Sequence, residues 1–178
     1  MQRRASALLH ACEVRDQKII ESLLTHNPPL DMVNTRGRGV LHLILGDTLY
    51  IEEERYDKIL KALKPVVKSI EKRTPSLLGD FLEQGDLKER KTPLHYCAVS
   101  GNLVAARYLL KKHPILINMT DRNGKTPLHH AYESNQANVV RLLTAKKGTF
   151  GELTPSRRRG SSFAEANTIL KRSGFLKS

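Results

Sequence analysis

The sequence has no tryptophan, two cysteines and, among 178 residues, only four phenylalanines and five tyrosines. So few aromatic rings leave little on which bases can stack, which argues against single-stranded nucleic-acid recognition. Two cysteines, Cys12 and Cys97, are too few for a disulfide scaffold and fit a reducing compartment. No apolar run reaches the ~18 residues that a membrane-spanning helix needs. The start, Met1-Gln2-Arg3-Arg4, lacks the apolar stretch of a secretory signal, so export is not expected. Also missing are a glycine-rich phosphate loop, a nucleophile elbow and a Cys/His pair at zinc spacing. No enzyme activity, cofactor or metal centre is therefore expected.

What the chain does have is enough apolar content for one folded domain, at 39%, and a surplus of positive charge. Thirty lysines and arginines face eighteen acids, a net +12. Half of that surplus falls from Lys146 onward, where eight basic residues meet only Glu152 and Glu165. A field of this sign favours acidic protein surfaces, nucleic acid or anionic lipid, without choosing among them.

The strongest internal signal is a repetition. Thr92-Pro93-Leu94-His95 and Thr126-Pro127-Leu128-His129 are identical and 34 residues apart. Each is followed by a small residue (Cys97, Ala131) and then by an apolar pair such as Leu109-Leu110 or Leu142-Leu143. Asp121-Arg122-Asn123-Gly124-Lys125 before the second copy has the form of a turn. There Gly124 supplies a backbone that a Cβ would strain, Thr126 caps a helix and Pro127 needs no N–H donor. This pattern resembles the ankyrin repeat. Two weaker copies lie upstream, at Asn34 to His42 and from Ala7 to His10, with the first helix capped by Ser6.

The resemblance implies an all-α solenoid of stacked helix–turn–helix units with finger loops. It divides residues 1–147 into repeats of about 6–33, 34–85, 86–120 and 121–147, followed by a basic tail over 148–178. The histidine steps are 32, 53 and 34 residues, so the second repeat is expanded. Its larger excess spans roughly 46–73, where Ile59, Leu60, Leu63, Val66, Val67 and Ile70 predict a long helix. Pro65 should kink or break that helix. Glu52, Glu53 and Glu54 mark an acidic tip or a docking element. The smaller excess is expected to lengthen a finger around residues 81–89.

His10, His42, His95 and His129 are the repeat histidines, which in this family tie neighbouring turns together; a structural role is expected for all four. His26 and His113 fall at helix C-termini, where the dipole favours a charged imidazole. Cys12 and Cys97 stand where these repeats carry a small core residue and should be buried thiols.

Such proteins recognise partners through finger tips and the exposed face of the first helices. The fingers here carry Arg36 and Arg38, then Lys88, Arg90 and Lys91, then Arg122 and Lys125. They predict a positive stripe, with Tyr96 and His130 on the floor beside it, or else charged tips that keep the stack soluble. A monomer binding a protein with an acidic surface is the first expectation. The alternative is an anchor to anionic membrane or nucleic acid through the tail. A third is an effector delivered into a host cell by an intracellular bacterium. A cytoplasmic location is expected, with the nucleus or a host cell as variants. In the tail, Arg158-Arg159-Gly160-Ser161 has the form of a basophilic kinase target at Ser161. Ser162 and Glu165 form a capping box before a short helix, which either caps the fourth repeat or rests on a membrane.

Overall fold

A computed structural model describes residues 2–46 and 53–149. Among these the structure is helical, with a single isolated bridge between Val33 and Gly39 and no strand. The helices are α1 (Gln2–Val14), α2 (Gln17–Leu24), α3 (Val40–Leu45), α4 (Glu53–Arg73), α5 (Leu78–Glu83), α6 (Pro93–Ser100), α7 (Leu103–Lys112), α8 (Pro127–Glu133) and α9 (Ala137–Ala145). Short 3₁₀ turns at Pro75–Leu77 and Pro114–Asn118 follow α4 and α7.

Packing sorts these helices into two rows. One row runs α1, α3, α6, α8 and the other α2, α4, α7, α9, and each member of the first also packs on its partner in the second. Leu8, Ile20, Ile44, Leu63, Leu94, Leu109, Leu128 and Leu143 belong to one continuous core between the rows. No single pair has both faces covered, so stacking supplies the burial that each pair lacks. Cys12 and Cys97 are free and buried within this core. Burial pushes the Cys12 thiol up to about 12 and the Cys97 thiol upward as well, so both are unreactive thiols.

Local sequence explains the boundaries. Pro93 and Pro127 occupy the first turns of α6 and α8, and Gly101 ends α6 in the left-handed region at φ 74°. Asp16 and Asn102 start α2 and α7 by accepting the N–H groups of Ile19 (3.0 Å) and Ala105 (2.9 Å). Helix α4 continues through Pro65 without a break. Ile59, Leu63, Val66, Val67 and Ile70 are essentially fully buried along it. At ~1.5–3 kcal/mol each, their burial outweighs the ~3 kcal/mol penalty of one internal proline.

Three sequence expectations are corrected. The smaller excess of the second repeat lengthens its finger by a single residue only: Pro75–Leu77 and α5 absorb the rest. Leu78, Phe81 and Leu82 have helical spacing, and Leu82 is drawn fully into the core. Ser6 does not cap α1, because the helix already begins at Gln2 in a run of good helix formers. His10 is consequently not a tie between turns. The residue three before it, Ala7, is inside the helix, so no free N-terminal N–H faces the imidazole. Its side chain is 76% exposed and lies 3.9 Å from Glu13. Ser161, the arginines at 157–159 and the capping box at Ser162 lie outside the described residues, as does Glu52.

Candidate partner-binding face

Three finger loops precede α3, α6 and α8, and each is organised by one Asx residue. Asn34 Oδ1 accepts the N–H groups of Arg36 (2.9 Å) and Arg38 (3.0 Å). Asp86 Oδ1 accepts from Glu89 N–H (2.6 Å), and Asp121 Oδ1 from Asn123 (2.7 Å) and Lys125 (2.9 Å). Each finger then turns through one residue of positive φ: Gly37 (71°), Arg90 (56°) and Gly124 (75°). The second finger is one residue longer than the others and uses an arginine where they use glycine. At Gly37 a side chain would meet a second obstacle. A Cβ would run into the Leu87 side chain of the next finger, in addition to the strain of the dihedral.

The histidines lock fingers to helices. His95 Nδ1 accepts the N–H of Thr92 at 3.1 Å. Nε2 therefore carries the proton and donates to the carbonyl of Lys125 in the next finger, at 3.0 Å. His42 repeats this with Gly39 N–H (3.3 Å) and the Lys91 carbonyl (3.1 Å). His129 Nδ1 accepts from Thr126 N–H at 3.0 Å. Burial holds His95 down to about 4, helped by neighbouring His130, and burial likewise brings His129 to about 4. Burial also lowers His42. Neutral imidazoles thus occupy these joints at physiological pH. The fingers also touch directly: Leu87 N–H donates to the Arg36 carbonyl (3.3 Å) and Arg122 N–H to that of Glu89 (2.7 Å).

A second polar joint ties each finger base to the helix behind it. Asp86 Oδ2 accepts the Tyr96 hydroxyl at 2.6 Å, and Asp121 Oδ2 accepts His130 Nε2–H at 3.0 Å. Burial works to raise Asp86, but the bonds from Tyr96 and Glu89 outweigh it, so the carboxyl sits below its ordinary value. Asp121 behaves alike, with Lys125 N–H, His130 and Asn123 N–H overcoming burial. Burial keeps His130 low despite its acidic neighbour, so this contact is a hydrogen bond to a neutral imidazole. In the first finger the corresponding helix residue is Leu43, which has no donor. Its finger base is Asn34, which carries no charge to be satisfied.

Arg36, Arg38, Lys88, Lys91 and Tyr96 converge on one cavity of about 240 Å³ between the first and second fingers, together with Asp86, Glu89 and Ser100. Arg38 stacks over the Tyr96 ring at 5.2 Å. Asp86 is committed to Tyr96, and Glu89 forms an ion pair with Lys91 at 2.5 Å. The remaining residues picked out from the sequence do not join this cavity. Arg90 closes its turn. Arg122 donates to the Leu87 carbonyl at 3.0 Å. Lys125 is held by both oxygens of Glu133 at 2.6 and 2.7 Å. His130 is buried against Asp121 rather than open on a groove floor. The charge is thus gathered at one gap more than spread along a stripe. Sequence reading missed Asp86 and Asp121 as receivers of Tyr96 and His130. Their signal was the matched pairing of an acid with a donor one residue after the repeat histidine.

A family model of ankyrin repeats (three copies) matches residues 54–153. Delta-latroinsectotoxin-Lt1a of Latrodectus tredecimguttatus is 34% identical over 94 residues, covering 52% of this chain and 8% of that protein. Transient receptor potential cation channel subfamily A member 1 of Homo sapiens is 26% identical over 165 residues, covering 82% of this chain and 15% of that protein. The chain therefore spans only a small fraction of the length of either relative.

Proposed function

Since the chain belongs to the ankyrin-repeat family, whose repeats are in general protein–protein interaction modules, we propose that it is a non-enzymatic adaptor gripping an acidic segment of a partner protein at the gap between its first two fingers. The carrying observation is the convergence of Arg36, Arg38, Lys88 and Lys91 on one cavity beside Tyr96. Both acids there are already engaged, so an incoming carboxylate meets a surplus of positive charge. The guanidinium of Arg38, laid over the Tyr96 ring, adds its charge to the rim of the gap. The rigid backing of neutral histidines keeps the cations in place before a partner arrives, which limits the ordering penalty of association. Two buried free thiols support a reducing compartment such as the cytoplasm as the working location.

The test reverses Arg36 and Lys88 to glutamate, since both side chains are exposed and neither holds the fold together. Partners captured by the parent should be lost by Arg36→Glu/Lys88→Glu and weakened by added salt, while the melting point is unchanged. Retention of the same partners at the same salt dependence would sink the assignment of the gap.

A further inference from the structure

The outer row of helices carries a second charged surface that none of the finger residues contributes to. On α4 the side chains of Lys58, Lys61, Lys64, Lys68 and Lys72 are all exposed. At 100° and 1.5 Å per residue they occupy an arc of about 120° and run about 21 Å along the axis. Helix α7 packs beside α4 and exposes Val104, Arg107 and Lys111 on its own outer stripe. None of these seven cations forms an ion pair with a described residue. The acids nearby are few. Helix α7 has none, Glu71 of α4 is held by Lys112 at 2.6 Å, and the other acids of α4, Glu53, Glu54 and Asp57, all precede Lys58 at its N-terminal end.

We infer that the α4–α7 face docks on an anionic membrane surface. Two helices side by side, roughly 8–10 Å apart, present these charges as a sheet instead of a single line. Six of the seven are lysines, whose compact hydrated ammonium suits a diffuse negative surface, whereas the planar fork that reads base edges belongs to arginine. Apolar side chains stand where the two helices end: Leu77 after α4 is 44% exposed and Ile115 after α7 is 62% exposed. Such residues beside lysines fit the boundary between headgroups and acyl chains. The finger gap and this face use different residues, so a protein partner and a membrane can be held together.

The test uses the full chain with vesicles of phosphatidylcholine, alone or with about one third phosphatidylserine, sedimented at about 0.15 M salt. The parent should bind the anionic vesicles and not the neutral ones. Lys61→Glu/Lys64→Glu/Lys68→Glu should lower partitioning roughly 100-fold or more, at about fivefold per charge lost near the surface. Lys61→Arg/Lys64→Arg/Lys68→Arg should retain binding, which separates charge from any effect on folding. The same 100-fold effect should persist when Arg157, Arg158 and Arg159 are changed to glutamine. Failure of the parent to bind, or equal binding by the glutamate variant, would overturn the proposal. So would tighter capture of a short DNA duplex that displaces the vesicles, which would assign the face to nucleic acid.

Discussion

His10 and His95 occupy the same place in the repeat pattern and have opposite fates. His95 is fully buried and bridges Thr92 N–H to the Lys125 carbonyl. His10 is mostly exposed, near Glu13 and far from any such joint. The difference lies in their surroundings. At His95 the helix starts three residues earlier, leaving an N–H for the imidazole to receive, and a finger follows to accept its proton. At His10 the helix runs on upstream to Gln2, so the N–H is already used. A motif residue becomes structural only when both its cap and its neighbour in the stack are present.

Acid gives the largest test of that contrast. His95 and His129 are held at about 4 in the fold, against about 6.5 unfolded. Between those values the unfolded chain binds protons that the native state refuses. Stability is therefore complete above pH ~6.5 and falls as pH drops towards 4, by up to about 3 kcal/mol for each histidine. Denaturant midpoints measured from pH 7 to 4 should show this, and a flat profile would contradict buried neutral joints. His95→Ala is next: it leaves a buried N–H and a carbonyl without a partner and opens a cavity, for a loss of about 3 kcal/mol. Gly37→Ala should lose roughly 2 kcal/mol through its positive φ and its contact with Leu87. Tyr96→Phe removes one donor from buried Asp86 and should lower stability by about 1–2 kcal/mol in urea titrations. A cycle with Asp86→Asn should return much of that as coupling. His10→Ala should stay within about 0.5 kcal/mol of the parent; a loss matching His95→Ala would erase the distinction.

The fold was legible where sequence and space repeat together. Two identical Thr-Pro-Leu-His segments announce helix starts, histidine joints and a 34-residue unit, and α6 and α8 begin as those residues require. The long α4 was legible from its apolar spacing, although Pro65 gave a misleading stop signal because a local rule cannot weigh burial on both sides. Helix α5 was hidden by its shortness, since six residues make fewer than two turns. Of the candidate site, the basic finger residues were visible, but their grouping was not. Which cation meets a neighbouring carboxylate depends on contacts between fingers. The lysine row on α4 was present in the sequence at intervals of three and four, yet it only becomes a surface once α7 is seen to lie beside it.

The histidine joints also have a direction. Each imidazole reaches forward to a finger that comes later in the chain: 49 residues on for His42 and 30 for His95. During synthesis, then, neither the second nor the third repeat can latch when its own helices emerge from the ribosome. Each waits, with an unsatisfied donor, until the following finger has been made. Latching of these two repeats therefore runs one unit behind translation, and a truncation that removes the later finger unlatches the repeat before it, whereas loss of an earlier repeat leaves the later joints intact.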